Sequence, residues 1–161
     1  APLARISNRR AFCERAQGEW AAARRKGDWL HVLMLDADHF KRINDSLGHG
    51  TGDFVLHELA HLFDKSRRTE DLLARYGGEE FILLLSGIEP EQAVAFAERL
   101  RQTVVGHRFA IEERHVPVTV SIGVSSRRGD SLPALADLVA RADAALYMAK
   151  HNGRNCVVAD Q

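Results

Sequence analysis

Two groups of carboxylates in this sequence are candidates for chemistry. Asp36 ends an almost continuous apolar run, residues 30–35, that reads as a strand buried on both faces. Glu79 and Glu80 follow the adjacent glycines Gly77 and Gly78, which lie between two further apolar runs. That pattern predicts a hairpin whose glycine pair tolerates positive φ and lets backbone come close to a ligand. Strand ends of α/β sheets are where ligands tend to bind, so a hairpin paired beside the Asp36 strand would make the acids converge. Converging carboxylates either repel and raise their pKa values or bind a hard cation. Mg²⁺ favours one or two carboxylates completed by substrate phosphates, the arrangement that phosphoryl-transfer enzymes use. The plain alternative is that acids in a turn are simply solvated. Geometry of this kind does not name a reaction.

The elements that must position these acids follow from patterning. Ser7 or Asn8 caps a first helix, with Phe12, Ala16 and Trp20 spaced four apart on one face, and Gly27 and Asp28 end it. A short helix over residues 40–47 leads into the glycine-rich stretch 48–53. An amphipathic helix over 52–65 follows, with Val55, Leu59, Leu62 and Phe63 inward. Strands are expected at 72–75, 81–85, 109–111, 116–124 and 156–159. Pro90 opens a helix to about residue 105, and a last helix covers 132–150 with Leu135, Leu138, Ala142, Leu146 and Ala149 buried. Alternating helices and strands with an antiparallel hairpin make this an α/β sheet with helices on its faces.

Composition narrows the function classes. The 161 residues suit one domain, and 22 Lys plus Arg against 22 Asp plus Glu give zero formal charge, unlike a domain that grips nucleic acid through phosphates. Cys13 and Cys156 have no motif spacing and read as unrelated thiols in a reducing compartment. No apolar run is long enough to span a bilayer, and no signal peptide pattern is present, so no membrane contact is expected. The chain begins at Ala1 without Met, as a domain cut from a longer protein would. His57, Glu58 and His61 match HExxH, the helical spacing of a zinc peptidase with Glu79 or Glu80 as a third ligand. The periodicity instead turns Val55 and Leu59 inward, leaving the histidines on a solvated face.

Four longer stretches are specific. "RYGGEEF" (75–81), "DADHFKRINDSLGHGTGD" (36–53), "SIGVS" (121–125) and "RADAALYMAKHNGRN" (141–155) resemble the motifs of the GGDEF family of diguanylate cyclases, in its GGEEF form. They occur in the family's order and spacing, and the resemblance covers essentially all of residues 1–161 as a single domain. It implies a central mixed, largely antiparallel five-stranded sheet flanked by helices, similar to the palm domain of nucleotidyl cyclases and polymerases. It also implies a cytoplasmic domain whose sensory or regulatory partner lies N-terminal to it.

The same resemblance assigns roles. Asp36, Glu79 and the Ala37 carbonyl would hold Mg²⁺ or Mn²⁺, with Glu79 and Glu80 as the catalytic acids. Gly77 and Gly78 would approach the phosphates, Lys41, Lys150 and Arg154 would neutralise them, and Phe40 would line the substrate site. Asn44 and Asp53 would read the guanine edge. Two GTP would become cyclic di-GMP and two pyrophosphate, by attack of a 3′-hydroxyl on an α-phosphorus. Each domain would bring one GTP, so a transient homodimer is implied. Arg68 and Asp71, in an RxxD pattern, together with Arg99 would form an inhibitory cyclic di-GMP site. One departure stands at the start, where Ala1, Ala4 and Arg5 replace the family's Asp, Thr and Gly. That departure keeps open the alternative of a catalytically silent GTP or cyclic di-GMP receptor.

Overall fold

A computed structural model describes residues 6–129 and 134–160. The departures at Ala1, Ala4 and Arg5 lie outside the described residues, as does the expected helix start at residue 132. In chain order the elements are α1 (Arg9–Lys26), β1 (Trp29–Ala37), α2 (Phe40–Leu47), α3 (His49–Ser66), β2 (Leu72–Arg75) and β3 (Glu80–Ser86). Then come α4 (Pro90–Gly106), β4 (Phe109–Ile111), β5 (Arg114–Val116), β6 (Val120–Arg128), α5 (Leu135–His151) and β7 (Val157–Ala159).

Local chemistry sets several boundaries. The Asn8 side chain accepts from the Ala11 amide at 2.8 Å, capping α1, and Gly27 ends that helix in the left-handed conformation at φ 70°. Glu89 and Gln92 form a capping box ahead of α4, with Pro90 in its first turn. Five strands form one sheet in the order β2-β3-β1-β6-β7. β1 lies between β3 and β6, antiparallel to both, and β7 alone runs parallel to its neighbour. The sheet is mixed and largely antiparallel, as the resemblance implied.

Period-2 alternation along the central strands builds a core on each face. Leu33, Leu35, Phe81 and Leu83 pack towards Leu59, Phe63, Ala97 and Leu100 of α3 and α4. Val32, Met34, Ile82 and Leu84 pack towards Phe12, Ala16, Leu138 and Ala142 of α1 and α5. Asp36 and Glu80 continue the second series, so both belong to the α1/α5 face.

Three expectations are corrected. The strand expected over 116–124 is two: Val116 pairs with Phe109 in a separate two-stranded ribbon, while Val120 pairs with Ala37 in the main sheet. Pro117 between them has no N–H to donate to a ladder. α3 starts at His49, ahead of the expected residue 52. The Gly77–Gly78 pair does not use positive φ. A Cβ at Gly77 would sit 2.9 Å from Glu80 Oε1, the far end of a side chain that can turn aside.

Candidate active site

The end of β1 collects the acids. Asp36 is directly opposite Glu80 on one side and Ser121 on the other, and the Ala37 amide donates to the Glu79 carbonyl at 3.4 Å. Opposed residues of an antiparallel pair share a face, which brings the Asp36 and Glu80 side chains to one side while Glu79 sits in the turn. A cavity of about 540 Å³ opens here, and Asp36, Ala37, Phe40, Lys41, Glu79, Lys150 and Arg154 all line it. The carboxylate of Asp36 is buried, and Lys150 Nζ, reaching in from α5, donates to its Oδ2 at 2.6 Å.

Burial dominates the electrostatics. It pushes Asp36 up to about 6, opposed by Lys150 and reinforced by the charges of Glu79 and Glu80. Glu80 is half-buried, and its proton affinity is also raised, first by burial and then by Asp143 on α5. Among the described residues no group of three or more His, Cys, Asp or Glu is gathered closely enough to hold a metal unaided. Mg²⁺ needs only one or two carboxylates, with phosphate oxygens and water completing its shell. Two mutually repelling acids at the mouth of a cavity lined by Lys41 and Arg154 fit such a cation with a phosphate ligand. The HExxH histidines do not compete: on α3, Val55 and Leu59 are buried, His57 is half-buried and His61 exposed.

The raised affinity of Asp36 for its proton gives a pH dependence. A bound cation must displace that proton, so affinity for Mn²⁺ is expected to fall about tenfold per pH unit below about 6 and to level off above it. Titration calorimetry from about pH 5 to about pH 7.5 reads this directly. A flat profile across that range would remove Asp36 from the ligand set. For the apo fold the sign is opposite. The folded chain holds this proton more tightly than the unfolded chain, so the stability it contributes is present at low pH and lost as pH rises through about 6.

The base-reading candidates lie beside the acid cavity, at the junction of α2 and α3. Asn44 Oδ1 is buried and lacks a hydrogen-bond partner among the described residues, a condition that a ligand donor would relieve. Gly52 makes room for it, because a Cβ there would collide with Asn44 Oδ1 and stand 3.1 Å from the Phe40 ring. Asp53 follows Gly52 and is exposed. The Gly77 amide, expected at the phosphates, donates to the Glu80 carbonyl at 3.3 Å inside the hairpin. Gly78 is exposed, and its carbonyl accepts from Arg75 at 2.6 and 3.1 Å.

Comparison with known proteins decides the family. Residues 2–156 match the family described as diguanylate cyclase, GGDEF domain. The chain belongs to the GGDEF family. Diguanylate cyclase A of Treponema denticola is 46% identical over 132 residues, covering 82% of this chain and 35% of that protein. The response regulator PleD of Caulobacter vibrioides is 39% identical over 158 residues, covering 97% and 35%. The chain thus spans about a third of the length of these curated relatives. The active GGEEF domain of a diguanylate cyclase from Vibrio cholerae superposes with a TM-score of 0.87 at 38% identity, covering 97% of this chain and 98% of that one. The GGDEF domain of DgcB from Caulobacter crescentus, solved in complex with c-di-GMP, gives 0.91 at 32%, covering 96% and 91%.

A second cavity of this GGDEF domain, about 280 Å³, is lined by Arg68, Asp71, Phe96 and Arg99 among others, so the three candidate inhibitory-site residues come together. The pair is also a local clasp: Arg68 Nη2 donates to the buried Asp71 at 2.7 Å and to the Ser86 carbonyl at 3.0 Å. Two acids escaped sequence reasoning. Asp143 belongs to the electrostatic surroundings of Glu80, and its place seven residues before Lys150, on the same helical face, was a usable signal. Asp38 is buried among three donors. Its alternation with Asp36 in Asp-Ala-Asp hinted at a role, but not at its partners.

Proposed function

We propose that this GGDEF domain is a diguanylate cyclase, joining two GTP into cyclic di-GMP with release of two pyrophosphate. The observation that carries the reading is the buried Asp36 carboxylate, bonded to Lys150 and facing Glu79 in a cavity with two further cations, Lys41 and Arg154. Three of the relatives and structural neighbours noted above are themselves named as diguanylate cyclases or as GGDEF or GGEEF domains, which supports the same reading.

Asp36 and Glu79, with the Ala37 carbonyl, are the groups we assign to Mg²⁺ or Mn²⁺. That ion would supply positive charge where the 3′-hydroxyl attacks and where pyrophosphate departs. With a cation beside Asp36, the Lys150 ammonium would be free to turn to the phosphates, where Lys41 and Arg154 would act with it. Glu80, with its raised proton affinity, is our candidate to take the proton of the attacking hydroxyl. Asn44 Oδ1 and Asp53 accept from the guanine amino group and N1–H, while Phe40 holds the floor beside Asn44. One such set of groups serves one GTP, so a second copy of the domain has to bring the other, in antiparallel orientation. Cyclic di-GMP binding between Arg68, Asp71 and Arg99 would restrain the enzyme, using the arginine forks against phosphate and guanine.

Concentrated protein incubated with GTP and Mg²⁺ should form cyclic di-GMP, resolved by nucleotide chromatography. Binding of GTP and cyclic di-GMP without turnover would instead make the domain a receptor. Base reading has its own test. Asp53→Ala should raise KM for GTP about tenfold or more and leave kcat within about twofold, the loss of a charged hydrogen bond used equally in ground and transition states. Equal loss in both parameters would count against that role.

A further inference from the structure

We infer that Asp38 is a positioning residue, holding the turn that presents Arg154 to the triphosphate, with Arg101 as a second strut. The inference rests on the nucleotide-binding role proposed for Arg154. After α5, Gly153 (φ 101°), Arg154 (φ 63°) and Asn155 (φ 46°) follow one another in left-handed conformations. Side chains with a Cβ disfavour that region, so two of these three residues need outside bonds to stay there.

Those bonds are present. The Arg154 amide donates to the Ala149 carbonyl at 3.1 Å, tying the turn to the helix end. The Asn155 amide donates to Asp38 Oδ2 at 3.0 Å. From the opposite side, Arg101 Nη1 on α4 donates to Asn155 Oδ1 at 3.0 Å. Asp38 is itself anchored by Thr119 Oγ1, which donates to Oδ2 at 2.7 Å, and by Ser121 Oγ, which donates to Oδ1 at 2.6 Å. It is 5% exposed, against three donors and, among the described residues, no cationic partner.

This separates two acids only two residues apart. Asp36 is bonded to the Lys150 ammonium, which sits on a flexible four-carbon stem. Asp38 has its lone pairs engaged by a backbone amide and two hydroxyls, so it is a fixed brace. Removing the brace leaves the pocket acids in place but frees the turn to abandon its left-handed residues, and Arg154 leaves the cavity with it.

Asp38→Asn keeps the volume and points an amide N–H₂ at one of the three donors. Hydrogen exchange at the Asn155 amide is expected to accelerate about tenfold or more, as a lost buried hydrogen bond implies. KM for GTP should rise about tenfold with kcat within about threefold, and adding Arg154→Ala should raise KM no further than that substitution alone. Additive effects of the two substitutions, or unchanged exchange at Asn155, would overturn the inference. Arg101→Met, at a partly exposed position, should move both readouts the same way by less, and serves if Asp38→Asn does not fold. Should the unaltered chain not turn over GTP, the functional reading fails on its own, and exchange at Asn155 still decides whether Asp38 holds the turn.

Discussion

Glu79→Ala is expected to lower cyclic di-GMP formation by at least about a thousandfold, because a divalent ion at phosphoryl transfer is worth several kcal/mol and about 4 kcal/mol corresponds to that factor. The same substitution should leave the fold intact. Glu79 lies in the turn before β3, half-buried, and its charge is one of those that push protons onto Asp36. Removing it relieves repulsion around a buried carboxylate, so the melting temperature of the apo domain should hold steady or rise slightly while activity disappears. Chromatography of the nucleotides beside a thermal melt separates the two effects. Product within about tenfold of the unaltered domain would take Glu79 out of the reaction. A collapse of both activity and melting temperature would make it a structural residue.

A large loss of stability is expected from Gly123→Ala. Gly123 lies in the middle of β6, opposite Met34, where α5 crosses the sheet. A Cβ there would collide with Leu146 N and Ala142 O and stand 2.8 Å from Ala145 C. These are backbone atoms of a helix, and no rotamer change moves them aside. α5 would have to lift from a face into which it sends Leu138, Ala142 and Leu146. Overpacking costs about 1–3 kcal/mol where side chains can yield, so about 3 kcal/mol or more is expected here, a large share of a typical domain's stability. Urea unfolding measures it, and a loss below about 1 kcal/mol would mean that α5 is loosely seated. Lys150 rides on the same helix, so GTP turnover should fall in the folded fraction as well.

Element by element, what could be read in advance was what local chemistry controls. Asn8 and Gly27 delimit α1 because a side-chain acceptor and a left-handed glycine act within a few residues of themselves. The apolar run ending at Asp36 is a strand buried on both faces because each of its alternating sets meets a helix layer. Pro117 shows where this kind of reading stops. The apolar pattern runs through residues 116–124 without a break, and only the ladder's demand for donors divides it.

The site divides in the same way. Residue types and spacing singled out the acids Asp36, Glu79 and Glu80, and the motifs' resemblance to the GGDEF family added Lys41, Lys150 and Arg154 as candidates. Tertiary structure alone decided that the Gly77 amide bonds inside the hairpin, that Lys150 rather than a second acid bonds Asp36, and that Asp38 accepts from the Asn155 amide beside Arg154. The reason is distance along the chain. Asp38 finds its donors at Ser121 and Asn155, 83 and 117 positions away, and Lys150 lies 114 positions from Asp36. No periodicity carries such pairings, because they exist only once the sheet has brought β1, β6 and the end of α5 to one edge.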